Sequence, residues 1–304
     1  MTSLSSPRGV FCAAATPLNA DLSVDLAAFT THCRTLLEEG CDGIALLGTT
    51  GEANAFSSDE RRAILEAALD AGIASGQLLP GTGCCAIPDT VALTRHALSL
   101  GVTRVVMLPP FYYKGVSDEG LFAAYADVIE RVADGRLRIV LYHIPQMSGV
   151  PLSLGLVARL IAAFPEIVVG IKDSAGDLAN MHAMVEAFPG FAVLAGADPL
   201  LLPLLEAGGA GCITATSNLA ARQLATVYRL FNDPTRRAEV TAAQNGIVAL
   251  RNISNRFAQI PTIKAMLAAK TGNPGWHRTR PPLVPLAAEQ RAVIARAYAE
   301  AAAS

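Results

Sequence analysis

Eight short apolar runs punctuate the first 216 residues of this chain, with segments of helical spacing between them. The runs fall at 9–16 (GVFCAAAT), 42–48 (DGIALLG), 78–83 (LLPGTG), 104–110 (RVVMLPP), 137–145 (LRIVLYHIP), 167–172 (IVVGIK), 191–196 (FAVLAG) and 210–216 (AGCITAT). Intervening stretches such as 60–72 (ERRAILEAALDAG) and 153–164 (SLGLVARLIAAF) place apolar residues three and four apart, the spacing of one helix face. Ser57 and Glu60 have the Ser-x-x-Glu spacing of a capping box, which starts a helix there.

Strand followed by helix, eight times over, predicts a (β/α)8 TIM barrel. Apolar runs that are continuous rather than alternating fit it, because parallel strands are covered on both faces. A doubly wound open sheet has the same periodicity. It is disfavoured because no GxGxxG follows the first run, where such a fold would hold a pyrophosphate. After residue 216 four helical segments (217–231, 236–257, 261–272 and 286–301) follow with no strand between them. The first reads as the last barrel helix, so the expected division is a barrel over 1–225 and a C-terminal helical region over 226–304.

Composition removes several classes of function. The chain is 52% hydrophobic and 16% charged, with a net charge of -2, so it offers no excess of cations to a nucleic acid. Every apolar stretch is broken by Gly, Pro or a charge before the roughly 18 residues a membrane span needs. The N-terminal segment has no basic stretch leading into a long apolar one, so a cytoplasmic location is the expectation. The six cysteines and five histidines show no CxxC, HxH or HExxH spacing, which argues against a metal site or a disulfide framework.

The active site of such a barrel lies where the strands end, so the polar residues at those ends are the candidates. Lys172 closes the sixth run. The chain has four lysines against twenty arginines, and an amine set against an apolar strand is disfavoured in its charged form. A neutral amine is the nucleophile that attack on a ketone requires. Alternatively, Lys172 reaches solvent or pairs with Asp173. Tyr142 ends the neighbouring run, where its phenol can move protons to and from an adduct on Lys172. His143 should turn to the other face of that strand. In GTTGE (48–52) the glycines Gly48 and Gly51 flank Thr49 and Thr50, a turn of hydroxyls and backbone N–H groups suited to a small carboxylate. A P-loop would need a lysine where Glu52 stands.

Taken together and in order, GTTGE, PPFYYKG (109–115), YHIP (142–145) and GIKDSAGD (170–177) resemble the dihydrodipicolinate synthase and N-acetylneuraminate lyase family. The resemblance spans essentially the whole chain. It implies a Schiff-base (class I) pyruvate aldolase in which Lys172 forms a covalent imine and Tyr142 relays protons. Thr49 and Thr50 would hold the pyruvate carboxylate, with Thr49 also in the hydroxyl relay. Tyr112, or else Tyr113, matches a tyrosine that members lend across a dimer interface. Gly196 and Ile213 match positions lining the lysine pocket, and Met147 and Asp198 match positions that meet the second substrate. It further implies no metal or organic cofactor, pyruvate and a small aldehyde as partners, and a homotetramer.

The sequence departs from the family pattern at the second substrate. Where the synthases carry an arginine for the aspartate semialdehyde carboxylate, YHIPQMSG has Met147, which cannot make a bidentate carboxylate contact. The neuraminate lyases' acidic pair is reduced to Asp198 before Pro199, and Ala215 replaces their serine. A 2-keto-3-deoxy sugar acid or a related 2-oxo acid adduct is therefore the expected substrate. The alternatives are 4-hydroxy-tetrahydrodipicolinate synthase, a metal-dependent aldolase on the same fold, and a protein that binds a 2-oxo acid without turnover.

Overall fold

The computed structural model describes residues 6–303. Seven parallel strands form one sheet: β1 (Gly9–Ala13), β2 (Gly43–Ala45), β3 (Arg104–Met107), β4 (Arg138–His143), β5 (Val168–Asp173), β6 (Ala192–Ala195) and β7 (Gly211–Thr214). Their order is β2-β1-β7-β6-β5-β4-β3, which leaves one gap between β2 and β3. The run at 78–83 fills it. Leu79 and Gly81 donate N–H to Ile44 O and Leu46 O, while Val106 donates to Pro80 O and Thr82 donates to Val106 O. Pro80 has no N–H to offer β3, so this eighth position makes a partial ladder where the apolar run predicts a full strand. The chain can approach β2 closely here because residue 81 is glycine: a Cβ would fall 2.1 Å from Leu47 O.

Around this nearly closed barrel run α1 (Leu26–Glu38), α2 (Ser58–Asp70), α3 (Ile87–Ser99), α4 (Asp118–Val132), the short α5 (Pro145–Ser148), α6 (Leu154–Ala163), α7 (Leu178–Ala187), α8 (Leu201–Glu206) and α9 (Ser217–Leu230). Three more helices, α10 (Arg237–Ser254), α11 (Gln259–Thr271) and α12 (Ala288–Ala303), follow without an intervening strand. The helix starts are encoded locally. Asp25, Ser57, Ser117, Ser153 and Asp177 each accept an N–H of the first turn, meeting a donor with no partner inside the helix. At Ser57 the capping box is complete: its Oγ accepts from Glu60 N and its own N–H donates to Glu60 Oε2.

Burial explains the continuous apolar strands. One shell fills the barrel interior, including Phe11, Val140, Leu194 and Ile213. A larger one lies between the sheet and the helices. Every residue of β4 and β5 is buried, so any polar residue in them must have a partner or a use. No helix among the described residues is long and apolar enough to cross a membrane.

Candidate active site

Tyr142 and Lys172 are in-register partners on β4 and β5, so their side chains leave the sheet on the same face. Lys172 is 5% exposed, and its Nζ lies 4.1 Å from the centre of the Tyr142 ring. A π face attracts an ammonium without competing for its lone pair once the proton is gone. The Tyr142 hydroxyl shares a hydrogen bond of 3.2 Å with Thr49 Oγ1, linking the lysine to the turn after β2. Burial pushes the Tyr142 phenol up, but the Lys172 charge and the Thr49 hydrogen bond outweigh it, and Ser174 acts in the same direction; the net shift is downward. That favours a phenol that gives and takes protons.

The next pair in the register, His143 and Asp173, faces the other way. His143 Nδ1 accepts from Leu152 N at 3.0 Å. The Asp173 carboxylate, fully buried, accepts from Ala175 N and from Asn180 Nδ2, each at 2.8 Å. Asp173 is thus held by the following loop and the first turn of α7 rather than by Lys172.

Lys172, Tyr142, Thr49, Thr50, Gly196 and Met147 line one cavity of about 330 Å³ at the C-terminal ends of the strands. Gly196 belongs there for a steric reason: a Cβ would fall 2.0 Å from Ser174 Oγ and 2.8 Å from Asp173 O. Met147, on α5, is 64% exposed at the rim. Six expected residues do not line the cavity within one chain. Gly48 and Gly51 shape the threonine turn through their backbones, accepting from Ala53 N and Thr16 Oγ1. Ile213 is spent on packing inside the barrel, in register with Phe11. Tyr112 is 74% exposed and Tyr113 73%, stacked edge to face on a surface loop. Asp198 is fully buried and meets the cavity only through another residue, Arg251, whose Nη1 lies 3.3 Å from its Oδ2.

Arg251, Gln259 and Ser174 also line the cavity, and strand-end reasoning misses the first two. Arg251 lies on α10 and Gln259 opens α11, in a region with no strand ends to scan. Ser174 had a signal, standing two residues past Lys172 in IKDSAG. Glu52 has an unforeseen partner as well: its Oε1 lies 2.5 Å from Lys264 Nζ, both side chains being fully buried, and its Oε2 accepts from Arg280 N. Among the described residues no group of three or more His, Cys, Asp or Glu is placed to hold a metal ion.

The same fold recurs in known proteins. A solved dihydrodipicolinate synthase from Agrobacterium tumefaciens is 34% identical, with a TM-score of 0.85 over 96% of this chain and 98% of its own. YagE, an Escherichia coli prophage protein of the dihydrodipicolinic acid synthase family solved with pyruvate, is 25% identical, with a TM-score of 0.90 over 97% and 98%. In sequence, a DapA-like lyase of Chloroflexus aurantiacus is 34% identical over 97% of both chains. A 4-hydroxy-tetrahydrodipicolinate synthase of Acidiphilium cryptum is 30% identical over 94% of this chain and 95% of its own. The model of the dihydrodipicolinate synthetase family matches residues 6–301, and the chain therefore belongs to that family of carbon–carbon lyases.

Proposed function

We propose that this protein is a Schiff-base aldolase that cleaves or forms the bond between pyruvate and an aldehyde, acting on a 2-keto-3-deoxy sugar acid or a related 2-oxo acid adduct. The observation that carries the reading is the buried Lys172 amine beneath the Tyr142 ring, with the Tyr142 hydroxyl bonded to Thr49. In the cleavage direction, Lys172 Nζ adds to the C2 ketone once it has given up its proton. Tyr142 protonates the carbinolamine oxygen, which leaves as water, and a protonated imine remains. That imine draws in the electrons of the C3–C4 bond as the C4 hydroxyl gives up its proton, releasing the aldehyde and leaving an enamine. Protonation at C3 and hydrolysis then return pyruvate and free lysine. The sequence of steps needs no metal.

Thr49, Thr50 and the turn that carries them would bind the pyruvate carboxylate, and Tyr112 of a second copy would complete the hydroxyl relay in a homotetramer. Met147 at the rim, where the synthases have arginine, favours an adduct other than the aspartate semialdehyde one. The pyruvate held by YagE, a relative of the same fold, supports pyruvate as the common half.

Incubation with pyruvate and borohydride, followed by intact mass measurement, should fix one reduced pyruvate per chain. An unmodified chain would rule the mechanism out. The Tyr142→Phe variant keeps the ring over Lys172 but loses the relay. It should lose about 100-fold in kcat/KM while folding as the wild type does. Unchanged turnover would move the proton transfer to another group.

A further inference from the structure

Given the Schiff-base reading of Lys172, we propose that Arg251 is the specificity residue for the far end of the substrate and that it binds a second carboxylate. The preferred adduct is then a dicarboxylate, the product of pyruvate and an aldehyde that itself carries an acid group.

The charged side chains on the cavity wall are Lys172 and Arg251, and no carboxylate is among the described residues that line it. Lys172 is committed to the ketone. Arg251 is therefore the charged donor facing the rest of the cavity, paired from behind by Asp198, and its guanidinium is held in a defined orientation. Nη1 lies 3.3 Å from Asp198 Oδ2. With its amide oxygen turned to the guanidinium, Gln259 accepts from Nη1 at 2.8 Å and from Nη2 at 3.0 Å. Gln259 thus spans the Nη1–Nη2 edge and Asp198 takes the outer Nη1 hydrogen. Among the described residues these bonds engage Nη1 twice and Nη2 once and none is made by Nε, so the Nε–Nη2 edge keeps two parallel N–H groups to offer. That edge matches the two oxygens of a carboxylate.

The support behind Arg251 favours a ligand of this kind. Asp198 is fully buried and its main-chain oxygen accepts from Gln244 Nε2 at 3.2 Å, so it cannot follow Arg251 if the arginine swings away. Asp198 and Gln259 act as positioning residues: they hold the fork from one side and leave the N–H groups of its other edge open. A planar fork held in this way discriminates by geometry as well as by charge. It also fills the chemical gap left by Met147, from a different element of the fold.

The test uses two substrates identical through C5, 2-keto-3-deoxyglucarate with a C6 carboxylate and 2-keto-3-deoxygluconate with a C6 hydroxymethyl group. Pyruvate release is followed for the wild type, Arg251→Leu and Arg251→Lys, with borohydride trapping of pyruvate alone as the measure of an intact Lys172 site. The wild type should favour the dicarboxylate. Arg251→Leu should lose about 100-fold in kcat/KM on it, chiefly through KM, and at least about tenfold less on the monocarboxylate, where the loss is that of leaving buried Asp198 without its partner. Arg251→Lys keeps a cation beside Asp198 but lacks the fork, and should show an intermediate loss that again falls chiefly on the dicarboxylate. Equal losses on both substrates, or a wild type that prefers the hydroxymethyl end while still trapping pyruvate, would overturn the Arg251 assignment only. A wild type that traps no pyruvate would overturn the Schiff-base reading, and this inference with it.

Discussion

The Lys172→Ala variant is expected to release pyruvate at least about 10⁴-fold more slowly than the wild type and to form no borohydride-trapped adduct. The reason is chemical rather than structural. On the proposed mechanism the variant lacks the amine that turns the substrate ketone into an electron sink, and no other lysine is among the described residues lining the cavity. Asp173, the adjacent carboxylate, keeps its bonds to Ala175 and Asn180, so no buried charge is stranded and the variant should fold. Lys172→Arg, which restores a cation but not a nucleophile, should be equally inactive. Pyruvate release and thermal melting measured together decide the matter. Turnover within about a hundredfold of wild type in a folded Lys172→Ala protein would mean that the imine forms elsewhere or not at all.

The second large effect is on stability. Lys264 and Glu52 form an ion pair with both side chains at 0% exposure. Burial pulls the Lys264 ammonium down from its ordinary value, and the charge and hydrogen bond of Glu52 offset only part of that. Such a pair gains little over a well-packed apolar pair, but losing one partner leaves the other charged and unsolvated. Lys264→Met should therefore cost about 3–5 kcal/mol. Adding Glu52→Gln to Lys264→Met should recover much of it, because the stranded charge is then gone and the Gln oxygen can still accept from Arg280 N. Denaturant unfolding of the two single variants and the double variant checks this. A Lys264→Met protein as stable as wild type, or a double variant that loses the sum of both singles, would refute the account.

This pair also bears on the site. Glu52 sits in the left-handed region, with φ 58°, and its N–H donates to Thr49 O to close the GTTGE turn. Lys264 therefore ties the threonine turn to α11, so activity should fall together with stability in Lys264→Met.

Much of the site was legible in the sequence because it is encoded locally. An apolar run marks a strand, the end of the strand marks the rim of the barrel, and the residue type at that end marks its chemistry. That sufficed to single out Lys172, Tyr142 and Thr49, which the fold gathers on one cavity. Alternation along the strand also separated Tyr142 from His143. The third run was visible as well. What it could not reveal was that the N–H missing at Pro80 reduces the strand to a partial ladder.

Local pattern failed wherever a side chain's meaning depends on a distant partner. In the sequence Glu52 is only a residue that breaks a P-loop; its partner Lys264 lies 212 positions away. Asp198 sits at a strand end and reads as a substrate contact, yet it is fully buried and holds Arg251, which lies 53 positions on. Arg251 itself is one arginine among twenty, on a helix that carries no strand-end signal. The sequence alone determined the barrel, the strand ends that form its rim and the lysine that stands there, because strand periodicity and strand ends are short-range properties of the chain. Only the tertiary structure decided which charges face the cavity and which are neutralised behind it, because ion pairing is set by proximity in space after the C-terminal helices have packed against the barrel.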